Sequence, residues 1–325
     1  MITSEKDVTE QNLAWEMQCI ADKLAVKDLG EAVFPKYFQI ETSRVCNSRC
    51  PYCPVDHWDK SHPFMDDRLF DKIAEELADY KDWIRLVAVQ RAGEPLMDKK
   101  LIPRIKKLKG HGLNGVTIAT NAMLLDEERA RGLIEAGLDE IMFAIDSIEE
   151  EEYNKIKRGL DFKTVLKNIE NFFALRDAMN KEMIIRVRAV SFHNTDLEKD
   201  KAELKNWERY WNKFKKPHDR IYMKKAHNWG NQWDWDGNIQ QNTHVYHPCI
   251  VPWSTMHITA MGIVGLCPTD YDGKMRLGDI NQSSIREAWH GEAFRQLREL
   301  HAAGRRNEIS FCKGCVIFDP EGTLE

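Results

Sequence analysis

The sequence predicts an α/β fold, a partial, TIM-like (β/α)6 barrel followed by a small C-terminal domain. From residue 37 onward, short β-rich apolar runs alternate with longer segments of helical periodicity, a pattern typical of parallel βαβ units. Six such units follow one another, and because βαβ crossovers are almost always right-handed, they curl into a barrel or an open partial barrel. After residue 226 the pattern changes to tryptophans among Gly, Asn and Asp, and the last four of the eight cysteines lie there.

The predicted elements divide the chain into an N-terminal extension at 1–36, a barrel core at 37–230 and a C-terminal domain at 231–325. The extension contains one predicted helix at 10–24. The predicted barrel strands are 37–42, 84–90, 115–120, 140–146, 183–192 and 220–226. The predicted barrel helices are 66–80, 99–110, 126–136, 151–176 and 196–214. Loops after parallel strands gather at one end of a barrel, so we expect the chemistry there.

Composition is that of an ordinary soluble globular protein. Of the 325 residues, 42% are hydrophobic and 30% are charged, and the mean hydropathy is -0.54. These values exclude an intrinsically disordered chain and a disulfide-stapled miniprotein. No run approaches the roughly 18 apolar residues that span a bilayer, and the N-terminus has no apolar signal-peptide core. We therefore expect a cytoplasmic protein that has no membrane partner.

The charge and the cysteine content narrow the function further. A net charge of -5 gives no electrostatic footprint for nucleic acid, so we expect no nucleic-acid partner. In a reducing compartment, the eight cysteines are expected to be metal ligands or catalytic thiols rather than disulfides.

Three cysteines lie close together on the loop that follows the first predicted strand. Cys46, Cys50 and Cys53 have the spacing C-x3-C-x2-C. Three thiolates can hold a cubane iron-sulfur cluster and leave one of its four irons open. A structural zinc site is the alternative interpretation, although such sites usually have four ligands and no fourth lies nearby in the sequence.

This spacing, with Tyr52 as the aromatic residue beside the last cysteine, resembles the defining motif of the radical S-adenosylmethionine (SAM) superfamily. A second segment, Ala92-Gly93-Glu94-Pro95, is similar to the family's Gly-Gly-Glu-Pro motif, with Ala92 in place of the first glycine. Shorter resemblances follow at Thr120-Asn121-Ala122, at Asp146-Ser147 and at Arg158-Gly159. By this resemblance, the residues expected to contact SAM are Tyr52, Gly93, Glu94, Asn121, Ser147 and Arg158.

The resemblance implies a specific chemistry for the barrel. A [4Fe-4S] cluster on the three cysteines would pass one electron to SAM, and the resulting 5'-deoxyadenosyl radical would take a hydrogen atom from a small-molecule substrate. An electron donor such as flavodoxin or ferredoxin would reduce the cluster. The protein itself would orient the reactants and exclude water.

The remaining ligand candidates lie in the predicted C-terminal domain. They are Cys249, Cys267, Cys312 and Cys315, and a predicted hairpin joins the first two. The pattern resembles the twitch domain, the shorter relative of the SPASM domain, and this resemblance implies one auxiliary [4Fe-4S] cluster. Four cysteines could equally form a structural zinc site. Because four thiolates saturate a cluster, an auxiliary cluster here is expected to transfer electrons rather than to bind substrate.

Together these patterns predict a radical SAM oxidoreductase that dehydrogenates a small polar substrate, such as a sugar, aminocyclitol or nucleoside hydroxyl. The auxiliary cluster would accept the remaining electron of the substrate radical. The alternatives are a maturase that oxidises or crosslinks a ribosomal peptide, a sugar epimerase or decarboxylase, and a non-catalytic zinc protein. An epimerase commonly needs a thiol that returns a hydrogen atom, and Cys19 is the one cysteine outside the two sets.

Candidate catalytic residues lie on the fifth and sixth predicted strands. His227 or Lys225 could remove the hydroxyl proton, and Arg188 could hold an anionic group of the substrate. A capped turn and solvated side chains are the alternative interpretation for these residues. Trp233 and Trp235 could stack on a sugar or could pack between the two domains.

Overall fold

The computed structural model describes residues 10–192, 197–230, 232–233, 247–315 and 323–324. Its strands are β1 (Tyr37–Ile40), β2 (Leu86–Ala88), β3 (Val116–Thr120), β4 (Glu140–Ala144), β5 (Ile184–Ser191), β6 (Arg220–Lys225), β7 (Thr255–Ile258), β8 (Ile263–Gly265), β9 (Gly278–Asp279) and β10 (Thr323–Leu324). They form one sheet in the order β10-β6-β5-β4-β3-β2-β1-β7-β8-β9. From β1 to β6, each strand pairs in parallel with the next, as in a partial βα barrel.

Helices follow the barrel strands and flank the C-terminal region. They are α1 (Glu10–Lys23), α2 (Asp67–Ala78), α3 (Leu101–Gly110), α4 (Glu127–Glu135), α5 (Glu150–Ile156), α6 (Phe162–Ala178), α7 (Leu197–Trp211), α8 (Val251–Ser254), α9 (Ile285–Trp289) and α10 (Glu292–Ala302). None of the described helices has the combination of length and apolarity that crossing a membrane requires.

The predicted α/β class and the six predicted barrel strands are confirmed, each strand being slightly shorter than expected. The single helix predicted at 151–176 is wrong, because two helices, α5 and α6, occupy that range. The interruption has a local cause. Gly159 has a left-handed backbone with φ of 86°, which ends the first helix, and the Asp161 side chain accepts a hydrogen bond from the Thr164 N–H at 2.8 Å, which caps the second.

The inner face of the barrel sheet is polar. Burial alternates residue by residue along β5, where every second side chain lies in the hydrophobic core between sheet and helices. Arg186 and Arg188 therefore lie on the opposite, inner face of the barrel. Arg186 forms an ion pair with Glu140 of β4 at 2.6 Å, and Glu140 also accepts a hydrogen bond from Thr117 of β3 at 3.3 Å. A polar inner face suits a polar substrate.

The C-terminal hairpin extends the barrel sheet instead of forming a separate one. β7 pairs in parallel with β1, and β8 pairs antiparallel with β7, as the predicted hairpin between Cys249 and Cys267 requires. The hairpin that lies between Cys249 and Cys267 in the chain is thus tied to the first barrel strand by backbone hydrogen bonds. The predicted division of the chain at residue 231 stays a prediction.

Helix α1, which the sequence predicts at 10–24, packs against the start of the barrel. Ile20 and Leu24 form a small apolar cluster with Trp253, and Tyr37 packs against it. Tyr37 is the first residue of β1, whereas the first cysteine loop follows the last residue of that strand. Cys19 on α1 therefore lies at the end of the barrel away from that loop.

His257 on β7 is buried and neutral, so we expect a loss of stability in mild acid. Its Nδ1 lies 3.1 Å from Oε1 of Gln39, and burial, reinforced by Arg91, holds its pKa well below the usual 6.5. The unfolded chain binds a proton at this residue below about pH 6.5 and the folded chain does not. The free energy of unfolding should therefore fall by up to about 1.4 kcal/mol per pH unit through this residue.

The variant His257→Gln cannot titrate and should show a shallower decline. Urea unfolding of both proteins between pH 7 and pH 5 measures the two slopes. Equal slopes would contradict the assignment of a neutral, buried His257.

Candidate active site

The first cysteine loop gathers three thiols that act on one another electrostatically. Burial raises the pKa of Cys46 to about 11 and of Cys53 to about 12; Cys50 contributes in both cases, and Cys46 contributes for Cys53. Ser48 organises the loop from within, since its hydroxyl lies 3.0 Å from Sγ of Cys50 and its N–H donates to Sγ of Cys46 at 3.4 Å. Buried neutral thiols of this kind become thiolates when they bind a metal centre that displaces their protons.

The segment that contains Gly93 lies directly against this loop. The Glu94 N–H donates a hydrogen bond to the carbonyl oxygen of Val45 at 2.8 Å. Gly93 has φ of 34°, and a Cβ there would lie 2.3 Å from the carbonyl oxygen of Ser43. Only glycine, which has no Cβ, allows the two backbone segments to lie this close together. Ala92 is tolerated in place of the family's first glycine because it has no left-handed backbone and its methyl packs against a small apolar cluster.

Glu94 and Asn121 meet beside the cysteine loop, as predicted. The buried Glu94 carboxylate accepts hydrogen bonds from the Thr120 hydroxyl at 2.6 Å, from the Asn121 N–H at 2.8 Å and from the Leu96 N–H at 3.1 Å. Burial raises its pKa in spite of these donors. The Asn121 side-chain amide donates to Oδ1 of Asn47 at 2.8 Å, within the cysteine loop.

A network of Tyr52, Asp146 and Lys157 also lies beside this loop. The Tyr52 hydroxyl donates to Asp146 at 2.6 Å, and the Lys157 ammonium donates to the Tyr52 hydroxyl at 2.7 Å. Lys157 also forms an ion pair with Asp146 at 3.0 Å. Burial opposes the charged form of Lys157, but Asp146 and Cys50 outweigh it and raise the lysine pKa.

The sequence analysis missed Lys157 and named its neighbour Arg158 instead. Arg158 is exposed, and within the described part of the chain its side chain makes no hydrogen bond or ion pair. It contributes its carbonyl oxygen, which accepts from the Arg49 N–H at 2.8 Å and from the Ser48 hydroxyl at 3.2 Å. The hydroxyl of Ser147 accepts a local hydrogen bond from the Glu149 N–H at 3.0 Å, as in an ordinary turn.

The four C-terminal cysteines form a second group of thiols, of which Cys312 is buried and the other three are partly buried. Burial raises the pKa of Cys249 to about 12, and it also raises the pKa values of Cys267 and Cys312. Electrostatic interactions link all four residues, Cys315 included. The Cys249 N–H donates to Nδ1 of His301 at 3.1 Å, and the Thr269 hydroxyl lies 2.9 Å from Sγ of Cys267.

Both groups suit iron-sulfur clusters. The first supplies three thiols and so leaves one position open, whereas the second supplies four and leaves none. Among the residues that the structure describes, Nε of Arg306 and Nε2 of His301 are buried beside the second group without a hydrogen-bond partner. A group with acceptor atoms, such as a cluster with its sulfides, would meet both donors.

Buried arginines tie the two groups together. Arg44, just before Cys46, donates to Oδ1 of Asp272 at 2.8 Å. Arg91, just before Ala92, donates to the carbonyl oxygen of Tyr271 at 2.8 Å and to that of Asp270. Asp270 to Asp272 follow Cys267 closely, so the loops at the two sites are held at a fixed spacing.

Residues after β6 form a second link between the sites. The Trp229 indole donates to the carbonyl oxygen of Tyr52 at 2.8 Å, and the Gln232 side chain donates to that of Thr269 at 2.6 Å. The Trp233 indole donates to the carbonyl oxygen of Pro51 at 3.2 Å. This contact matches the packing interpretation of Trp233, whereas Trp235 lies outside the described residues.

His227 and Arg188 come together at the barrel mouth. Burial, reinforced by Arg188 and Lys224, lowers the pKa of His227 to about 4, and its Nδ1 accepts a hydrogen bond from the Trp229 N–H at 3.1 Å. With Nδ1 accepting, the neutral ring carries its proton on Nε2. The assignment of His227 as a base stays a prediction. The side chain of Lys225 lies outside the described part of the structure, so its assignment as a base stays a prediction.

Two family models match the chain. One, described as the radical SAM superfamily, covers residues 40–184, and the other, described as the SPASM iron-sulfur cluster-binding domain, covers residues 249–316. The second description favours a cluster over structural zinc at the four C-terminal cysteines.

Two relatives match different shares of the chain. The S-adenosyl-L-methionine-dependent 2-deoxy-scyllo-inosamine dehydrogenase of Niallia circulans is 24% identical over 85% of this chain and 91% of that protein. The tungsten-containing aldehyde ferredoxin oxidoreductase cofactor-modifying protein of Pyrococcus furiosus is 30% identical over 34% of this chain. That match spans 31% of the Pyrococcus protein, so the chain corresponds to less than a third of its length.

Solved structures show the same fold. BtrN in complex with AdoMet and 2-DOIA matches with a TM-score of 0.59 and 21% identity, over 87% of this chain and 93% of that one. Streptococcus suis SuiB bound to precursor peptide SuiA matches with a TM-score of 0.63 and 13% identity, over 89% and 71%.

Replacing Gly93 should weaken SAM binding. In Gly93→Ala the new Cβ would push the cysteine loop away from Glu94, so we expect a loss of affinity of about tenfold, equal to about 1.4 kcal/mol. The matched control Ala92→Gly, which removes a methyl from an adjacent apolar cluster, should retain the parent affinity. Equilibrium binding of SAM to reconstituted protein, with iron measured in parallel, tests both variants. Parent affinity in Gly93→Ala at full iron content would show that this close approach is not needed.

Proposed function

The chain is a radical SAM enzyme that ends in a SPASM domain, and from this premise we propose that it dehydrogenates a hydroxyl group of a small polar substrate. The observation that carries the proposal is the second set of four thiols, held at a fixed spacing from the barrel mouth. Four thiols saturate a cluster and leave it an electron-transfer role. The similarity to a 2-deoxy-scyllo-inosamine dehydrogenase over 91% of that protein supports an aminocyclitol or a related polyol as substrate.

Each of the two cysteine groups would hold one of the two clusters. Cys46, Cys50 and Cys53 would hold the first [4Fe-4S] cluster, and the four C-terminal cysteines the second. When bound, SAM and the clusters supply a 5'-deoxyadenosyl radical that abstracts hydrogen and an acceptor for one electron. Glu94 and Lys157, which lie near each other beside the first loop, would present opposite charges to the amino and carboxylate groups of SAM.

The reaction balances as a two-electron oxidation of the substrate. Its carbon would lose a hydrogen atom and its hydroxyl a proton, and the cofactors held by the two cysteine groups would take up the hydrogen atom and the remaining electron. The hydroxyl becomes a carbonyl, and each product consumes one SAM.

Arg188 and His227 are suited to hold the reacting oxygen. Arg188 lies on the inner face of the barrel, close enough to Lys157 and His227 to act on both electrostatically. Its Nε has no hydrogen-bond partner, and among the described residues no carboxylate lies within ion-pair distance of it. A cation beside a hydroxyl favours loss of the hydroxyl proton, and the Nε2–H of His227 adds a neutral donor.

The alternative functions would differ from dehydrogenation in their substrates or products. Peptide maturation would need a peptide substrate, and the likeness to SuiB concerns the fold. Epimerisation would return a hydrogen atom to the substrate, and Cys19 is on α1 at the opposite end of the barrel. A decarboxylase would release carbon dioxide.

Stoichiometry tests the dehydrogenase assignment directly. Anaerobically reconstituted enzyme should contain about eight irons and should form one 5'-deoxyadenosine per oxidised product. A panel of sugars, nucleosides and aminocyclitols that begins with 2-deoxy-scyllo-inosamine supplies the substrates. Catalytic recycling of SAM, or products that keep the oxidation state of the substrate, would refute dehydrogenation.

Cysteine variants separate the two proposed clusters. Cys46→Ala should abolish SAM cleavage, because the first cluster loses one of only three ligands. Cys312→Ala should retain SAM cleavage and stop product formation. Full turnover by Cys312→Ala would remove the second cluster from the reaction.

Replacing Arg188 should weaken the reaction with the substrate and leave SAM cleavage unchanged. In Arg188→Met we expect kcat/KM to fall at least about tenfold, equal to about 1.4 kcal/mol, since a charge-assisted contact to the substrate oxygen is lost. SAM cleavage in the absence of substrate should stay at the parent rate. The control Arg188→Lys retains the charge and should recover part of the loss. An unchanged kcat/KM in Arg188→Met would exclude contact with the substrate.

A further inference from the structure

Arg306 lies within the second cysteine group and is almost fully buried, with 2% of its surface exposed. Its Nη1 donates to the carbonyl oxygen of His247 at 2.9 Å, two residues before Cys249. Its Nη2 donates to the carbonyl oxygen of Cys315 at 2.8 Å. The guanidinium thus lies between the first and the last cysteine of the group.

No carboxylate balances this charge within the described part of the chain. Other buried arginines have one, since Arg176 pairs with Asp219 at 2.7 Å and Arg104 pairs with Asp98 at 2.9 Å. Arg306 instead has two neutral carbonyl partners, and its Nε has no partner among the residues that the structure describes. Burying an unpaired cation is costly, so an opposite charge is expected close by.

The neighbouring thiols are the groups that can supply this opposite charge. The guanidinium of Arg306 is hydrogen-bonded to the backbone of Cys315 itself and to that of His247, two residues before Cys249. His301, whose Nδ1 accepts from the Cys249 N–H, is held neutral by burial and by Arg306, so it adds no second cation. Once four thiolates hold a cluster, the site becomes anionic and Arg306 becomes its buried counter-charge.

We propose that Arg306 compensates the negative charge of the auxiliary cluster and raises its reduction potential, which makes the cluster an acceptor for the substrate's electron. The acceptor role rests on the proposed function, whereas the effect on potential does not. Reduction adds one negative charge to the buried site. A fixed cation stabilises the reduced state more than the oxidised state, so its removal must lower the potential.

The test compares variants that separate charge from hydrogen bonding. Arg306→Gln retains donors and loses the charge, and Arg306→Lys retains the charge and loses the planar fork. The matched control is Arg305→Gln, because Arg305 is exposed and pairs with Glu308 at 2.7 Å. Potentials are measured on the reconstituted full-length enzyme by redox titration monitored by electron paramagnetic resonance. The signal that does not respond to SAM, and that persists in a variant with Cys46, Cys50 and Cys53 all changed to Ala, belongs to the auxiliary cluster.

We expect Arg306→Gln to lose at least about tenfold in the equilibrium constant for accepting an electron, which is about 59 mV for a one-electron couple. Arg306→Lys should lie close to the parent potential, and Arg305→Gln should match it. Equal potentials in the parent and Arg306→Gln would overturn the proposal. So would equal shifts in Arg306→Gln and Arg306→Lys, because the hydrogen bonds would then matter and the charge would not.

Loss of the cluster is also informative. If Arg306→Gln fails to retain iron while Arg306→Lys retains it at the parent potential, the charge requirement is supported. Loss of the auxiliary iron from both variants, with the first cluster intact, would show a purely structural role. A shifted potential in an enzyme that oxidises no member of the substrate panel would refute the proposed function and leave the role of Arg306 standing.

Discussion

The arrangement of both sites depends on one buried carboxylate, that of Glu41, which follows β1 directly. It lies 3.4 Å from Arg44 and 3.7 Å from Arg91, and it accepts a hydrogen bond from the Ala260 N–H at 3.0 Å. These partners precede the first cysteine loop, precede the segment of Gly93, and lie in the turn between β7 and β8. Removing one member of such a buried network typically costs about 3–5 kcal/mol, because it leaves a charge uncompensated. One side chain therefore fixes three segments that carry the chemistry.

Backbone proximity is the second constraint, and it explains where the motifs tolerate change. Gly93 admits no Cβ because the carbonyl oxygen of Ser43 occupies the space. At position 92 a methyl group is tolerated, because the side chain of Ala92 packs against an apolar cluster. Ala122 stands where the resembling Thr-Asn-Gly motif has glycine, and its φ of 61° is the left-handed conformation that glycine adopts without strain. The two alanine replacements thus differ in their physical cost, although they look alike in the sequence.

The sequence predicts features that depend on residues close together in the chain. It does not predict which side chains tertiary packing buries. The first three cysteines and Glu94 could be singled out from the sequence because each lies in a short contiguous motif. Lys157 was missed because α5 ends at Ile156, and the turn after it directs Lys157 inward and leaves Arg158 exposed. Arg306 was hidden in the same way, because Arg305-Arg306 gives no sign of which residue is buried. The prediction of a single helix at 151–176 was wrong because it followed the continuous apolar periodicity. It gave too little weight to the glycine and the capping aspartate within that range.

The two cysteine groups differ in the charges that surround them, and this difference favours different reduction potentials. Beside the first group, the charge of Lys157 is offset by Asp146 at 3.0 Å, and the buried carboxyl group of Glu94 lies nearby. Beside the second group, Arg306 has carbonyl partners and, within the described residues, no carboxylate. Net charge is one of the protein's main controls over cluster potential. The first surroundings therefore favour a low potential and the second a higher one, which agrees with the electron-acceptor role proposed for the second cluster.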